Sequence, residues 1–220
     1  MKWINTLILT VALLGSASVA HATSITYTQT GITSGMIGGA SFTNALATVT
    51  VTGDTANVVT QTIEGYLFNV NVSTLTRVTI AGVGTATVTV PTAIYSFPTA
   101  ILIDSGLPVL PYVVMGTLDS PPAVDSFTGL GGLGSNSLLG YDLRTPIGPI
   151  TGSPGGVFYP VGLIVPTNLG NLSFTSNLTP TMVGTFSATV PEPNSLVLLS
   201  LGIAGIAFQL RFRARGRSTR

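Results

Sequence analysis

The sequence predicts an all-β, sandwich-like domain set between two apolar ends. Three observations carry this. Hydroxyl and apolar residues alternate with period two in Thr48-Val49-Thr50-Val51-Thr52 and Thr85-Ala86-Thr87-Val88-Thr89-Val90, as on half-buried strands. Gly, Pro, Asn and Asp interrupt the chain at short intervals, as turns between strands require. No stretch between residues 23 and 190 has the periodicity of an amphipathic helix.

Residues 1–22 have the three regions of a secretory signal peptide: Lys2 near the start, an apolar stretch from Leu7 to Gly15, and Ala20-His21-Ala22 as the small-x-small cleavage site. Cleavage after Ala22 would leave Thr23 as the new N-terminus; cleavage after Ala20 is the second choice. Such a signal directs the chain to the Sec translocon and out of the cytoplasm.

In the body, residues 23–189, strands are expected over Ile25–Thr30, Phe42–Thr52, Val58–Ile63, Tyr66–Val72, Leu75–Ala81, Thr85–Val90, Ala93–Phe97, Ala100–Asp104 and Val109–Met115. Further strands are expected over Leu138–Leu143, Val157–Tyr159, Leu163–Val165, Leu172–Thr175 and Val183–Val190. Restricted χ1 rotamers suit the β-branched residues in these runs to a pleated surface. Many short strands with turns between them point to a sandwich or a related barrel. Alternating Thr with Val, and Asn69 and Asn71 with Phe68, Val70 and Val72, assigns one wet face and one dry face to each strand. Two Gly- and Pro-rich stretches, Leu118 to Asn136 and Thr145 to Gly156, read as long loops.

Composition narrows the chemistry. The body lacks His, Cys, Lys and Trp, because His21, Lys2 and Trp3 all lie in the signal and no Cys is present. Its charges are Arg77 and Arg144 against Asp54, Glu64, Asp104, Asp119, Asp125 and Asp142, two against six, for a net −4, whereas the whole chain carries +1. That balance offers no basic surface for a nucleic acid. Ser-His-Asp, Cys-His and lysine-based nucleophilic catalysis lack their base, and zinc lacks its usual ligands. The expectation is a protein that is not an enzyme and carries no cofactor.

Two carboxylate readings stay open. Asp119 and Asp125 could act as the acid and base of a secreted carbohydrate-active enzyme. Together with Asp142 they are also weak candidates for calcium, since oxygen ligands on loops are what that ion takes. Tyr27, Tyr66, Tyr95, Tyr112, Tyr141 and Tyr159 are the stacking surfaces a carbohydrate-binding module would use. Gly129 to Gly134 match G-x-G-x-x-G, yet an all-β chain lacks the strand–helix context, so the match reads as loop. Asn71, Asn171 and Asn177 begin N-x-Ser/Thr triplets. Arg77 and Arg144 are expected to pair with surface aspartates.

The end of the chain, residues 190–220, is ordered in three parts. Pro191-Glu192-Pro193 comes first, and the prolines bias it toward a stiff extended segment. An uncharged apolar run follows over residues 195–210, and Arg211, Arg213, Arg215, Arg217 and Arg220 close it. A helix of about 15 to 18 residues spans roughly 22 to 27 Å, enough to cross a bilayer with little tilt. Arginines resist transfer and hold the last ten residues inside, so the chain is expected to sit as a type I intermediate in the inner membrane.

This three-part order resembles the PEP-CTERM sorting signal of exported bacterial proteins. The resemblance implies that an exosortase, an integral-membrane protease or transpeptidase, recognises Pro191-Glu192-Pro193 and cuts near it. The protein would then pass to the cell surface or to the extracellular polysaccharide of a Gram-negative bacterium, as a structural or adhesive component. It would be the exosortase's substrate, not a catalyst. The alternative is a secreted carbohydrate-active enzyme or carbohydrate-binding module with an ordinary C-terminal membrane anchor.

Overall fold

A computed structural model describes residues 23–63, 66–99, 101–102, 108–109, 111–118, 129–152, 157–158, 162–175 and 184–191. The expected signal peptide, the membrane-spanning segment and the basic tail lie outside these residues. The chain divides into two units, Met1–Thr189 and Val190–Arg220, and the fold below is that of the first.

Among the described residues sixteen strands run in chain order: β1 Ser24–Ile37, β2 Ala40–Asp54, β3 Val59–Ile63, β4 Tyr66–Val72, β5 Leu75–Ile80, β6 Gly84–Thr87, β7 Thr92–Phe97 and β8 Ile101–Leu102. After them come β9 Pro108–Val109, β10 Tyr112–Thr117, β11 Gly129–Gly134, β12 Ile147–Thr151, β13 Val157–Phe158, β14 Val165–Thr167, β15 Gly170–Phe174 and β16 Thr185–Thr189. No α-helix occurs among the described residues; two single 3₁₀ turns, Thr55–Asn57 and Asn136–Leu138, are capped by the side chains of Asp54 and Ser135.

One eight-stranded sheet has the order β12-β16-β1-β2-β5-β6, with β15 also on β1 and β14 on β15; a six-stranded sheet has the order β13-β11-β10-β7-β4-β3. All pairings are antiparallel. β1 is long enough to serve two neighbours. Its first half pairs with β16 from Thr26↔Thr189 to Thr30↔Thr185, and its end pairs with β15 at Gly35↔Phe174 to Ile37↔Leu172. An isolated bridge, Val88↔Thr167, and the Thr89 N–H donating to the Pro166 carbonyl at 3.0 Å join the chain after β6 to β14. Strands β1, β2, β5, β6, β14 and β15 thereby close on one another, so the larger sheet is part sandwich and part barrel.

Gly35 lies where β1 passes from one neighbour to the other, beside a β-bulge at Thr33/Gly35. A Cβ there would meet the Ser173 carbonyl oxygen, the Phe42 ring and the Phe174 backbone, so only glycine admits the closing strand β15.

The period of two decides what each sheet buries. On the eight-stranded sheet Ile25, Tyr27, Val49, Val51, Val78, Ile80, Ala86 and Phe186 point inward and are buried. Their neighbours Thr26, Thr28, Thr30, Thr48, Thr50, Thr52, Thr79 and Thr85 stay half-buried or exposed, as the Thr/Val alternation predicts. The six-stranded sheet behaves differently, because β7 and β10 are buried at every position. Phe68, Val70, Ala93, Tyr95, Phe97, Tyr112 and Val114 form an apolar cluster in which Phe97 stacks on Tyr112 at 4.4 Å and on Phe68 at 5.6 Å. Each large aromatic there adds about 1.5–3 kcal/mol of burial.

Four local expectations are corrected. Gly129–Gly134 is no loop but the strand β11, hydrogen-bonded to β10 on one side and β13 on the other, with Leu130 and Leu133 fully buried. Backbone pairing on both edges stabilises a segment whose glycines supply almost no side-chain signal. Ile147–Thr151, inside the second expected loop, is the strand β12 on β16. Leu138–Leu143 is not a strand; it leaves the 3₁₀ turn through Gly140 and Leu143, both at positive φ. Finally, Asn69 and Asn71 are buried rather than wet, while Val72 is exposed.

Candidate functional site

Three features among the described residues hold more than packing: a polar seam between the sheets, a lattice of hydroxyls on the outer face of the larger sheet, and the segment that leaves β16.

The seam begins at Tyr27 of β1. Its hydroxyl donates to the Leu143 carbonyl at 2.6 Å and accepts from Asn71 Nδ2, across on β4, at 2.7 Å. Gly53 makes room for that amide, since a Cβ on Gly53 would come within 2.8–2.9 Å of the Asn71 side chain. One turn of the pleat away, Gln29 Nε2 donates to the Gly132 carbonyl of β11 at 2.9 Å. Ser96 Oγ donates to the Tyr141 carbonyl at 2.7 Å, with Asn69 Nδ2 more distant from the same oxygen at 3.4 Å. Tyr141 in turn meets Phe186 of β16 edge to face, with ring centroids 5.9 Å apart. These bonds tie the segment 141–143 between the sheets and fix their mutual register. Burial raises the pKa of Tyr27, Tyr112 and Tyr141 well above the ordinary phenol value, and that of Tyr95 also, so all four rings stay neutral in the fold.

The outward face of the same eight-stranded sheet carries a hydroxyl lattice. Register places Thr151, Thr185, Thr30, Thr48, Thr79 and Thr85 in one row across six strands. A second row holds Ser187, Thr28, Thr50, Arg77 and Thr87, and a third Thr189, Thr26, Thr52 and Leu75. Strand geometry spaces the rows by about 6.8 Å and the members of a row by about 4.8 Å. Neighbouring hydroxyls bond within the first row, Thr30 to Thr185 at 2.7 Å and Thr79 to Thr85 at 2.8 Å.

Against this geometry the sequence candidates separate. Asp119 and Asp125 lie outside the described residues. Asp142 accepts the Arg144 backbone N–H at 2.9 Å, and no group of three metal-ligating side chains occurs among the described residues. Arg144 pairs with no aspartate among the described residues; its Nη2 donates to the Val58 carbonyl at 2.8 Å, tying the 3₁₀-turn region to the seam. Arg77 stands exposed among the threonines. Tyr27, Tyr95, Tyr112 and Tyr141 are 0–4% exposed, which removes four of the six stacking surfaces that a carbohydrate-binding module would need. Asn71 is likewise buried, so its triplet is closed to modification in the fold, whereas Asn171 is exposed. Sequence reasoning missed the seam itself, although an Asn at two alternate positions of an otherwise apolar strand was its trace.

β16 is hydrogen-bonded to β12 on one side and β1 on the other, and it ends at Thr189. Val190 and exposed Pro191 follow directly. Glu192, Pro193, the apolar run 195–210 and the arginines from Arg211 to Arg220 lie outside the described residues, as do Ala20 and Ala22. A family model described as the PEP-CTERM protein-sorting motif matches residues 189–214. The chain carries a PEP-CTERM sorting motif. That motif marks an exported protein handled at the membrane and sorted by an exosortase, and the match spans the Pro-Glu-Pro element, the apolar run and the first arginines. No curated protein and no solved structure matches the chain.

Proposed function

We propose that the body of this PEP-CTERM protein is a non-enzymatic structural or adhesive component of the cell surface or extracellular polysaccharide matrix of a Gram-negative bacterium. An exosortase cleaves its tail near Pro191-Glu192-Pro193. The observation that carries the reading is the sorting motif together with a sheet whose outer face is a charge-poor lattice of threonine hydroxyls. Such a face hydrogen-bonds to hydroxyl-rich polymers and needs no counterions. Supporting it, a body without His, Cys or Lys lacks the bases of most hydrolytic mechanisms. Calcium at Asp119, Asp125 and Asp142 is not required by this role.

The test is expression in hosts with and without an exosortase, followed by intact mass and fractionation. With the enzyme, the wild-type chain is expected at the cell surface or in the matrix, without Arg211 to Arg220. The Pro191→Ala/Glu192→Ala/Pro193→Ala variant is expected to stay in the membrane with its arginines. A wild-type chain that keeps Arg220 and remains in the membrane beside an active exosortase overturns the sorting step. Hydrolysis of a polysaccharide panel by the exported protein, abolished by Asp119→Asn, overturns the non-enzymatic role.

A further inference from the structure

A sheet edge is a row of unpaired N–H and C=O groups, and folded proteins block such rows with proline, charge, bulges, shortness or cover. The two large sheets end in four edges, and three are blocked. β12 carries Pro149, which has no N–H, and a register shift between Ile147 and Ile150. β6 is closed against β14 through the Val88↔Thr167 bridge and the Asn168 N–H donating to the Thr87 carbonyl at 2.9 Å. β13 is two residues long.

The fourth edge is β3, and among the described residues none of these devices guards it. Its sequence, Val59-Thr60-Gln61-Thr62-Ile63, has no charge, no proline and no glycine, and residues 59–62 are all exposed, Val59 by 52%. The strand is also tethered before any partner arrives. Thr60 Oγ1 donates to Asn69 Oδ1 on β4 at 2.7 Å, and Arg144 fixes the Val58 carbonyl just ahead of it.

We propose that β3 is a docking edge for a second copy of this chain, pairing antiparallel with β3 of that copy about a two-fold axis at Gln61. The two six-stranded sheets then run on as one. A two-fold contact uses the same patch twice, and this patch is complementary to itself. In that register Gln61 lies opposite Gln61 and Thr60 opposite Thr62, with no like charges opposed. Exposed Val59 on one face and exposed Leu67, which stands beside Thr62 on the other, lose water when the seam forms. A strand-addition contact gains its affinity from main-chain bonds and its register from side chains, and β3 supplies both.

The chain has no cysteine, so Gln61→Cys reports directly. Mild oxidation of the exported Gln61→Cys protein is expected to give a disulfide-linked dimer, while Thr50→Cys, on the outer face of the other sheet, stays monomeric. By sedimentation the wild-type protein is expected to dimerise. Gln61→Lys or Gln61→Glu alone weakens the dimer tenfold or more, and an equimolar mixture of the two charge variants restores it. A wild-type monomer at every concentration, or a dimer unaffected by Gln61→Lys and uncaptured by Gln61→Cys, overturns the proposal. A heterologous protein recovered on β3 in place of a second copy overturns it as well.

Discussion

Replacing Tyr27 with Phe removes one oxygen atom from the centre of the molecule and leaves the ring where it was. In the wild type that oxygen satisfies two buried groups, the Leu143 carbonyl at 2.6 Å and Asn71 Nδ2 at 2.7 Å. Asn71 Oδ1 already has no hydrogen-bond partner, so the variant leaves the entire amide unpaired in a site it cannot leave, wedged against Gly53. A buried polar group stripped of its partner costs about 1–3 kcal/mol, and with two groups affected and some relaxation the loss should be about 2–4 kcal/mol. That is a large share of the roughly 5–15 kcal/mol by which a domain is stable. Urea unfolding followed by tyrosine fluorescence measures it, because the only Trp, Trp3, lies in the signal region. A double-mutant cycle with Asn71→Leu isolates the pair: Tyr27→Phe/Asn71→Leu should cost less than the sum of the singles by about 1–2 kcal/mol. If Tyr27→Phe costs under about 0.5 kcal/mol and the two changes add, the seam does not hold the sheets in register, and its hydroxyl is incidental.

Gly35→Ala would push a methyl group into the Ser173 carbonyl and the Phe42 ring, and should cost about 3 kcal/mol or prevent β15 from docking, read as a lowered urea midpoint. An unchanged midpoint would mean that the β1–β15 junction yields without strain. Alkaline pH should unfold the protein from the same interior. The unfolded chain releases phenolic protons near about pH 10 while the fold holds those of Tyr27, Tyr112 and Tyr141 beyond it. Stability is therefore flat below about pH 10 and falls above it, by about 1 kcal/mol per phenol at one unit higher. Urea midpoints taken across that range test the sign; a midpoint that rises with pH contradicts the buried neutral phenols.

Much of the fold is written locally. Alternation over Tyr66–Val72 and Leu75–Ala81 places β4 and β5 almost residue for residue, although on β4 it assigns the faces wrongly, since Asn69 and Asn71 are buried with Phe68 and Val70. The same signal fails where side chains are scarce or both faces are dry. β11 and the second half of β1 are rich in glycine, and their strand character comes from neighbours hydrogen-bonded on either side. Asn69 and Asn71 look like a wet face until the Tyr141 carbonyl, 72 residues on, and the Tyr27 hydroxyl, 44 residues back, accept from their amide groups. The sorting motif is legible for the opposite reason: it is contiguous, and its parts act in the order in which they are read. The hydroxyl lattice lies between these cases, with each threonine row visible along its strand but the alignment of rows across six strands set only by register.

Register also links the body to its address. β16, the last strand, pairs with β1, the first, so that Thr26 lies beside Thr189 and neither sheet edge at that seam can be completed until the final strand is present. A contact between residues so far apart in sequence must close a long loop before it returns any energy, which makes it a late event in folding. The strand that completes the sheet ends at Thr189, and Pro191 of the sorting element stands two residues beyond. Along the chain, the match to the sorting motif, residues 189–214, begins at the last residue of β16. Truncation of the buried Phe186, on the strand that completes the sheet, is therefore expected to lower the urea midpoint of the domain.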